Sequence, residues 1–392
     1  MFARTATAAT ASAADHGGAL ARAGLMQRLG ALLKPHRCGP IGLEIATEKL
    51  HRVQFEIDSN PPSIRAAISL PYSGEREALL ADPKQLKALV RRALASKPFH
   101  GRSVVSCLPA SDVQTMTLSY KRGPGQSDAD AIVGELRERI KAEIEQSVVD
   151  YVAIRGDDGE AAERSAIVAV ADRRRVLAYL EALRAAGLDA LALDIGPSAL
   201  ARLVSSLGHG AHYANALLIN FGRGRSYMSV MWGRRLMLDR ELEFGENRLV
   251  ERLAGTLNMP EASVLQLLYE RGFSAPEAAG ADSALAEAVR TVCEVLRPEF
   301  ATLAAEVNKT LIYTASKTRG QSVERIHLLG SVARYPGVAA LLQGLVSVPV
   351  EVVNPLNVFP VRPGAAVTQD LDPIAGIGLA TGLALREVAV NG

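Results

Sequence analysis

Two stretches of this chain carry the same strand plan, and that duplication limits the fold more than any other feature. The first, GPIGLEIATEKLHRVQFEID, runs from Gly39 to Asp58. The second, ANALLINFGRGRSYMSVMWGRRLMLDRELEFGENRLVERLA, runs from Ala214 to Ala254. Each opens with an apolar strand ending in a polar residue, turns on small residues, and returns as an alternating strand. Alternation such as Val53, Phe55, Ile57 places one strand face in a core. With 392 residues the chain also exceeds what one core usually holds. Two similar α/β lobes, each begun by a three-strand meander, follow from these facts.

In the first lobe the pattern predicts strands at Ile41–Ile45, Leu50–Ile57 and Ile64–Leu70, with Pro61–Pro62 marking the last turn. Asp82-Pro83 then opens an amphipathic helix, with Asp at the N-cap and Pro at the first helical position. It leads to a strand at Val104–Leu108, so meander, crossover helix and parallel return build a mixed sheet. The next stretch reads as an insertion. It has a strand at Met116–Tyr120, a helix at Ala129–Ser147, strands at Tyr151–Ile154 and Ala166–Val170, and a helix at Arg173–Ala186 closing on Gly187. Strand Ala190–Ile195 and a helix from Pro197 rejoin the first lobe.

The second lobe repeats the plan with strands near 216–221, 226–231 and 235–243 and a helix from Glu246. A helical stretch from Pro260 to Ser316 follows, with Pro298 expected to kink its long helix. Strand Arg325–Leu329, a helix from Pro336 and strand Val350–Val353 complete the lobe, and helix Ile374–Val388 crosses back to the first. The expected division is an Ala-rich extension at 1–37, a first lobe at 38–110, 189–212 and 372–392, an inserted α+β subdomain at 111–188, and a second lobe at 213–371.

Within the extension Leu25, Met26, Leu29, Leu32 and Leu33 recur at helical spacing with Arg22, Arg28 and Lys34 between them. That pattern admits a membrane-surface anchor, a docked or frayed helix, or a chain that starts at Met26 rather than Met1. Net charge is +2, which gives no global attraction for nucleic acid. Three cysteines without CxxC spacing read as reduced thiols, and seven histidines without paired spacing give no metal signature. No apolar run approaches the roughly 20 residues that span a bilayer.

Paired lobes of this kind resemble the actin-like ATPase architecture, in which hairpin amides point at phosphates and strand-end acids hold magnesium or orient water. The motifs resemble those of the PilM family of type IV pilus assembly proteins, an FtsA-related branch of the actin-like ATPase superfamily. IGLEIATEKLHRVQF from Ile41 is similar to the family's first phosphate motif. AAGLDALALDIGPSAL (Ala185–Leu200), LLGSVARYPGV (Leu328–Val338), Asn354-Pro355 and Gly382–Arg386 follow in the family's order. The resemblance spans Ile41 to Arg386 and implies an actin-like, two-lobed fold of ribonuclease-H-like halves, with a small α+β subdomain inserted in the first lobe.

The resemblance also implies a nucleotide cleft for ATP with Mg2+, lined by Gly42, Glu44, Thr47, Asn220, Gly222, Ser226, Gly245 and Gly330. Glu44 and Asn220 stand where the family has Asp, and Ala46, Glu246 and Ser331 stand where it has Gly. His51 replaces a basic residue, and Glu48 adds a negative charge beside the expected phosphates. An asparagine cannot act as a charged base. The expectation is a scaffold without effective hydrolysis, with nucleotide binding left open. Arg223, Arg225, Arg234 and Arg235 either neutralise a triphosphate or are solvated. Asp194 reads as a cap for the helix from Pro197.

The implied role is cytoplasmic, in biogenesis of a type IV or MSHA-like pilus, peripheral to the inner membrane. There the chain would bind the N-terminal tail of a PilN-like inner-membrane protein and communicate with the pilus motor or other assembly proteins. The tail is expected in a groove between the first-lobe core and the inserted subdomain, bordered by Thr115, Thr117, Leu118 and Tyr120, as an extended peptide. The alternatives are an active ATP-dependent enzyme of the same fold and an FtsA-like membrane-associated filament protein.

Overall fold

The computed structural model describes residues 37–95, 99–140, 144–154, 163–207, 215–274, 283–318, 320–367 and 374–388. The amphipathic pattern in the extension, the question of Met1 or Met26, and the boundaries at 212 and 371 lie outside the described residues.

Strands β1 (Cys38–Ile45), β2 (Lys49–Glu56) and β3 (Ser63–Pro71) form an antiparallel meander. Helices α1 (Arg76–Ala81) and α2 (Pro83–Ala95) follow. Asp82 Oδ1 accepts from the amides of Lys84 (2.9 Å) and Gln85 (3.2 Å), which starts α2 where the sequence puts it. Strand β4 (Ser103–Cys107) then pairs in parallel with β1.

The insertion holds β5 (Val113–Tyr120), α3 (Asp128–Arg139), β6 (Ser147–Ile154), β7 (Arg164–Asp172) and α4 (Arg173–Ala185). Its sheet is antiparallel in the order β5-β7-β6. The helix expected to reach Ser147 ends at Arg139, because the β-branched run from Val148 is taken into β6 instead. Leu118, Tyr120, Ala131, Ile132, Leu136, Ala166 and Val168 form this unit's own core.

Strand β8 (Asp189–Asp194) returns to lie parallel to β4, followed by α5 (Gly196–Ser205). Then come β9 (Ala216–Phe221), β10 (Ser226–Trp232), β11 (Arg235–Leu242), α6 (Glu246–Leu257), α7 (Glu261–Glu270) and the 35-residue α8 (Ser283–Lys317), which contains Pro298. They are followed by β12 (Arg325–Gly330), α9 (Val338–Gln343), β13 (Val350–Val352), α10 (Pro355–Val358), β14 (Val361–Val367) and α11 (Gly378–Ala384).

The two large sheets share one plan. The first runs β14-β3-β2-β1-β4-β8 and the second β11-β10-β9-β12-β13. In each, an antiparallel meander is extended by parallel strands on the side of its first strand. One element departs from the sequence division. Residues 361–367, grouped there with the second lobe, pair in parallel with β3 of the first sheet. Glu56 fixes that edge by pairing with Arg65 (3.1 Å) and Arg362 (2.8 Å).

Helices α5 and α11 lie between the two sheets. The apolar cluster around them joins Val53 and Phe55 of β2 to Leu218 of β9 and Leu329 of β12 through Leu203, Ile377, Ala380 and Leu385. A Cβ at Gly42 would overlap the Ala380 carbonyl, so the missing side chain lets β1 touch the backbone of α11.

Candidate functional site

The turns after β1 and β9 are the hairpins that the sequence assigns to phosphates, and polar groups of each are hydrogen-bonded within the protein. The Ala46 amide closes its own turn on the Lys49 carbonyl at 3.0 Å, and the Ala46 carbonyl accepts from Tyr72 Oη. Thr47 is exposed at the tip. In the second hairpin the amides of Glu246 (3.1 Å) and Asn247 (2.9 Å), at the start of α6, donate to the carbonyls of Gly222 and Arg223. The buried Ser226 hydroxyl donates to the Phe244 carbonyl. Gly245 lies against the Arg223 and Gly224 carbonyls. At the end of β12, Gly330 takes φ +86° beside the Phe221 carbonyl, which accepts from the Ser331 amide at 2.8 Å. Asn220 is half-buried near the end of β9, opposite Tyr227 and Leu329.

Charged side chains connect these turns. Arg223 forms an ion pair with Glu48 of the first hairpin, and its Nε lies 3.6 Å from Glu246 Oε2. Glu246 is buried, and its Oε1 accepts from Tyr335 Oη at 2.7 Å and Tyr269 Oη at 3.1 Å, with Arg334 Nη2 at 3.6 Å. Arg334 stacks 4.4 Å above the Tyr269 ring. Burial first, then the adjoining Glu246 carboxylate, pushes the Tyr335 phenol far up. His51 is enclosed in the first lobe with its Nδ1 2.5 Å from Ser69 Oγ. Burial, with Lys49 and Arg334 adding positive charge, pushes His51 down to about 3. His51 is therefore a neutral imidazole near neutral pH.

Two acids lie at the carboxyl ends of the parallel strands. Although Glu44 as a residue is only half-buried, its Oε2 is enclosed and has no hydrogen-bond partner. Burial pushes its carboxyl up to about 8, against the pull of Arg76. Asp194 does not cap α5. It pairs with Arg202 and with Arg386 at 3.0 Å, and Oδ1 accepts from the Ile195 amide at 2.9 Å. Among the described residues, no group of three or more His, Cys, Asp or Glu side chains could hold a metal ion.

The four residues expected to border a peptide groove lie on β5, an edge strand of the insertion's sheet, with Leu118 and Tyr120 buried and Thr115 and Thr117 half-buried. Leu118 and Tyr120 are enclosed in the core of the insertion. Thr115 faces β11, where its hydroxyl donates to Asp239 Oδ2 at 2.9 Å, and Ser229 donates to Oδ1 at 2.7 Å. Thr117 Oγ1 is enclosed without a partner. Open apolar surface lies elsewhere. Strands β6 and β8 are free edges of their sheets, and α4 packs against both. Val148 (40% exposed), Val152 (37%), Leu177 (49%) and Leu191 (49%) project from β6, α4 and β8. Val148, Asp150 and Val152 alternate outward along β6, a signal already present in the sequence.

Two meander-led sheets packed on α5 and α11, with their hairpins joined by the Arg223–Glu48 ion pair, have the architecture of an actin-like two-lobed fold. The sequence model of the type IV pilus assembly protein PilM family matches residues 42–388, and the chain belongs to that family. Among solved structures it is similar to a PilM–PilN type IV pilus biogenesis complex, with TM-score 0.69 and 24% identity over 91% of this chain and 100% of the other. It is also similar in fold to the ethanolamine utilization protein EutJ from Carboxydothermus hydrogenoformans, with TM-score 0.51 and 15% identity over 90% of each chain. No curated protein gives a significant match. Among the described residues no helix is long and apolar enough to cross a membrane.

Proposed function

We propose that the chain is a cytoplasmic scaffold of type IV pilus assembly that binds the extended N-terminal tail of a PilN-like inner-membrane protein, while its cleft turns over no ATP. The observation that carries the partner reading is the pair of free strand edges, β6 and β8, beside four exposed apolar side chains in a member of the PilM family. A free edge offers unpaired amides and carbonyls to an incoming strand, and alternate side chains of that strand can meet Val148, Val152, Leu177 and Leu191. This reading favours β6 over β5, the other edge of the same sheet, because Leu118 and Tyr120 of β5 are buried whereas Val148 and Val152 of β6 are exposed.

The nucleotide reading rests on the donor set. Magnesium on a triphosphate is usually held to a protein through one or two ionised carboxylates, directly or through its waters. Glu44 keeps its proton to about pH 8, Asp194 is committed to two guanidinium groups, and Asn220 carries no charge. The amides at the start of α6 are occupied by carbonyls, and the Glu246 carboxylate stands where the family has a glycine. These residues do not fit a magnesium triphosphate.

The partner test is fluorescence anisotropy with the labelled N-terminal tail of a PilN-like protein encoded beside this chain. Leu177→Asp and Leu191→Asp are each expected to weaken binding by about tenfold or more, since each places a charge where an apolar side chain docks. Wild-type protein that ignores the peptide would sink the partner reading, and variants that bind like wild type would sink the groove. Phosphate release from Mg-ATP by wild type, at a rate typical of actin-like ATPases, would sink the nucleotide reading.

A further inference from the structure

We propose that the outer face of α2 docks on an anionic lipid bilayer. Leu86, Leu89, Val90 and Ala93 bury the inner face of this helix against the first sheet. The outer face presents Lys84, Lys87, Ala88, Arg91 and Arg92, all exposed, at positions i, i+3, i+4, i+7 and i+8. The helix contains no acidic residue, and Asp82 at its start already accepts from the Lys84 and Gln85 amides. Among the described residues, none of the four cationic heads forms an ion pair or a hydrogen bond.

Like charges three or four residues apart oppose one another along a helix, and soluble helices usually intersperse acids to relieve this. Here Lys84–Lys87 and Lys87–Arg91 stand at that spacing without relief. A stripe of this kind is stabilised by a partner with dense negative charge. Lysine and arginine also have long aliphatic stems, which lie along the apolar border of a headgroup layer while the charged ends reach phosphates. Nucleic acid is the weaker fit, since the stripe carries no aromatic side chain for stacking and the chain has a net charge of only +2. Position favours a bilayer as well. Helix α2 packs beside α4, which carries Leu177. This part of the argument rests on the proposed peptide groove, since a tail anchored in a membrane would hold the neighbouring helix face near that membrane.

The test is sedimentation of the full chain with large unilamellar vesicles of phosphatidylglycerol and phosphatidylethanolamine, against vesicles of phosphatidylcholine. No peptide is added, so failure here is distinguishable from failure of the groove. Wild type is expected to pellet with the anionic vesicles at low salt, to pellet less as salt rises, and to ignore phosphatidylcholine. Partitioning should fall about fivefold for each cation removed. In the full chain, the combined variant K84Q/K87Q/R91Q/R92Q should therefore partition at least a hundredfold less while keeping wild-type thermal stability and peptide affinity. Wild type that stays in solution with anionic vesicles overturns the proposal. So does a folded combined variant that pellets like wild type, which would assign any binding to another part of the chain. Tighter binding to a short DNA duplex than to anionic vesicles, lost in the same variant, overturns the lipid assignment.

Discussion

Glu246 is the side chain on which the cleft most depends, and Glu246→Ala measures how much. The buried carboxylate accepts from two tyrosine hydroxyls, at 2.7 and 3.1 Å, and lies 3.6 Å from both Arg223 and Arg334. Truncation leaves two phenols without their carboxylate acceptor and removes the anion beside Arg334 and one of the two beside Arg223. Removing one partner of a buried charged cluster usually costs about 3–5 kcal/mol. Arg223 and Arg334 retain some solvent access, so the lower end, about 3 kcal/mol, is expected. Glu246→Gln keeps an acceptor oxygen and should cost less, about 1–2 kcal/mol. Urea unfolding followed by circular dichroism reads both values, with the denaturant slope expected to stay constant. Running the same titrations with Mg-ATP adds a second readout. A ligand at a hundred times its dissociation constant stabilises by about 2.7 kcal/mol. Wild type should show no such gain. A loss below about 1 kcal/mol in Glu246→Ala, or a clear gain with Mg-ATP in wild type, would refute the reasoning.

Glu44 predicts a pH dependence of stability. Its folded carboxyl is raised from 4.5 to about 8, so between those values the folded state holds a proton that the unfolded chain has lost. Stability therefore falls as pH rises through that window, by at most about 1.4 kcal/mol per pH unit. Glu44→Gln should remove this loss, giving an advantage over wild type that grows from pH 5 to pH 8 in urea titrations. An advantage that stays constant across that range would contradict the assignment. His51 acts in the opposite sense, because its lowered value makes stability fall as pH drops from 6.5 towards about 3, but it is common to both proteins and cancels. Gly42→Ala should cost about 3 kcal/mol or more, because the new methyl overlaps backbone of α11 that cannot rotate away. A thermal melt within a degree of wild type would show that β1 and α11 separate easily.

Strand patterning made the two meanders legible, since Val53 and Phe55 alternate at the spacing of a buried face in one copy and the other opens on the apolar run at 216–219. Helix starts were legible where a local cap marks them, as at Asp82. Strand β14 was not, because Val361–Val367 contains Pro363 and Gly364, with Gly364 at φ +78°, and its register with β3 shifts between Val361 and Ala366. The cleft was half legible. Glu246 stood out as a departure from the family motif and Glu48 and Arg223 as charges near the expected phosphates, but their pairing is a product of folding across the two lobes. Asp194 was misread for the same reason. A cap is a local feature, whereas Arg386 lies far along the chain. The threonines and apolar residues of β5 could not be sorted by period alone, because Leu118 and Tyr120 pack in the insertion's core while Thr115 meets Asp239 of β11, far along the chain.

The order in which these elements emerge during synthesis has a consequence for folding. The first sheet needs β14 at its edge, and its β1 strand needs α11 against Gly42, yet both elements follow the whole second lobe in the chain. Domains commonly fold in turn as translation proceeds. Here the first lobe waits with an open edge and an uncovered apolar face until the second has been made. A nascent chain paused before residue 361 would present both to its surroundings, and holding it soluble falls to chaperones rather than to its own core.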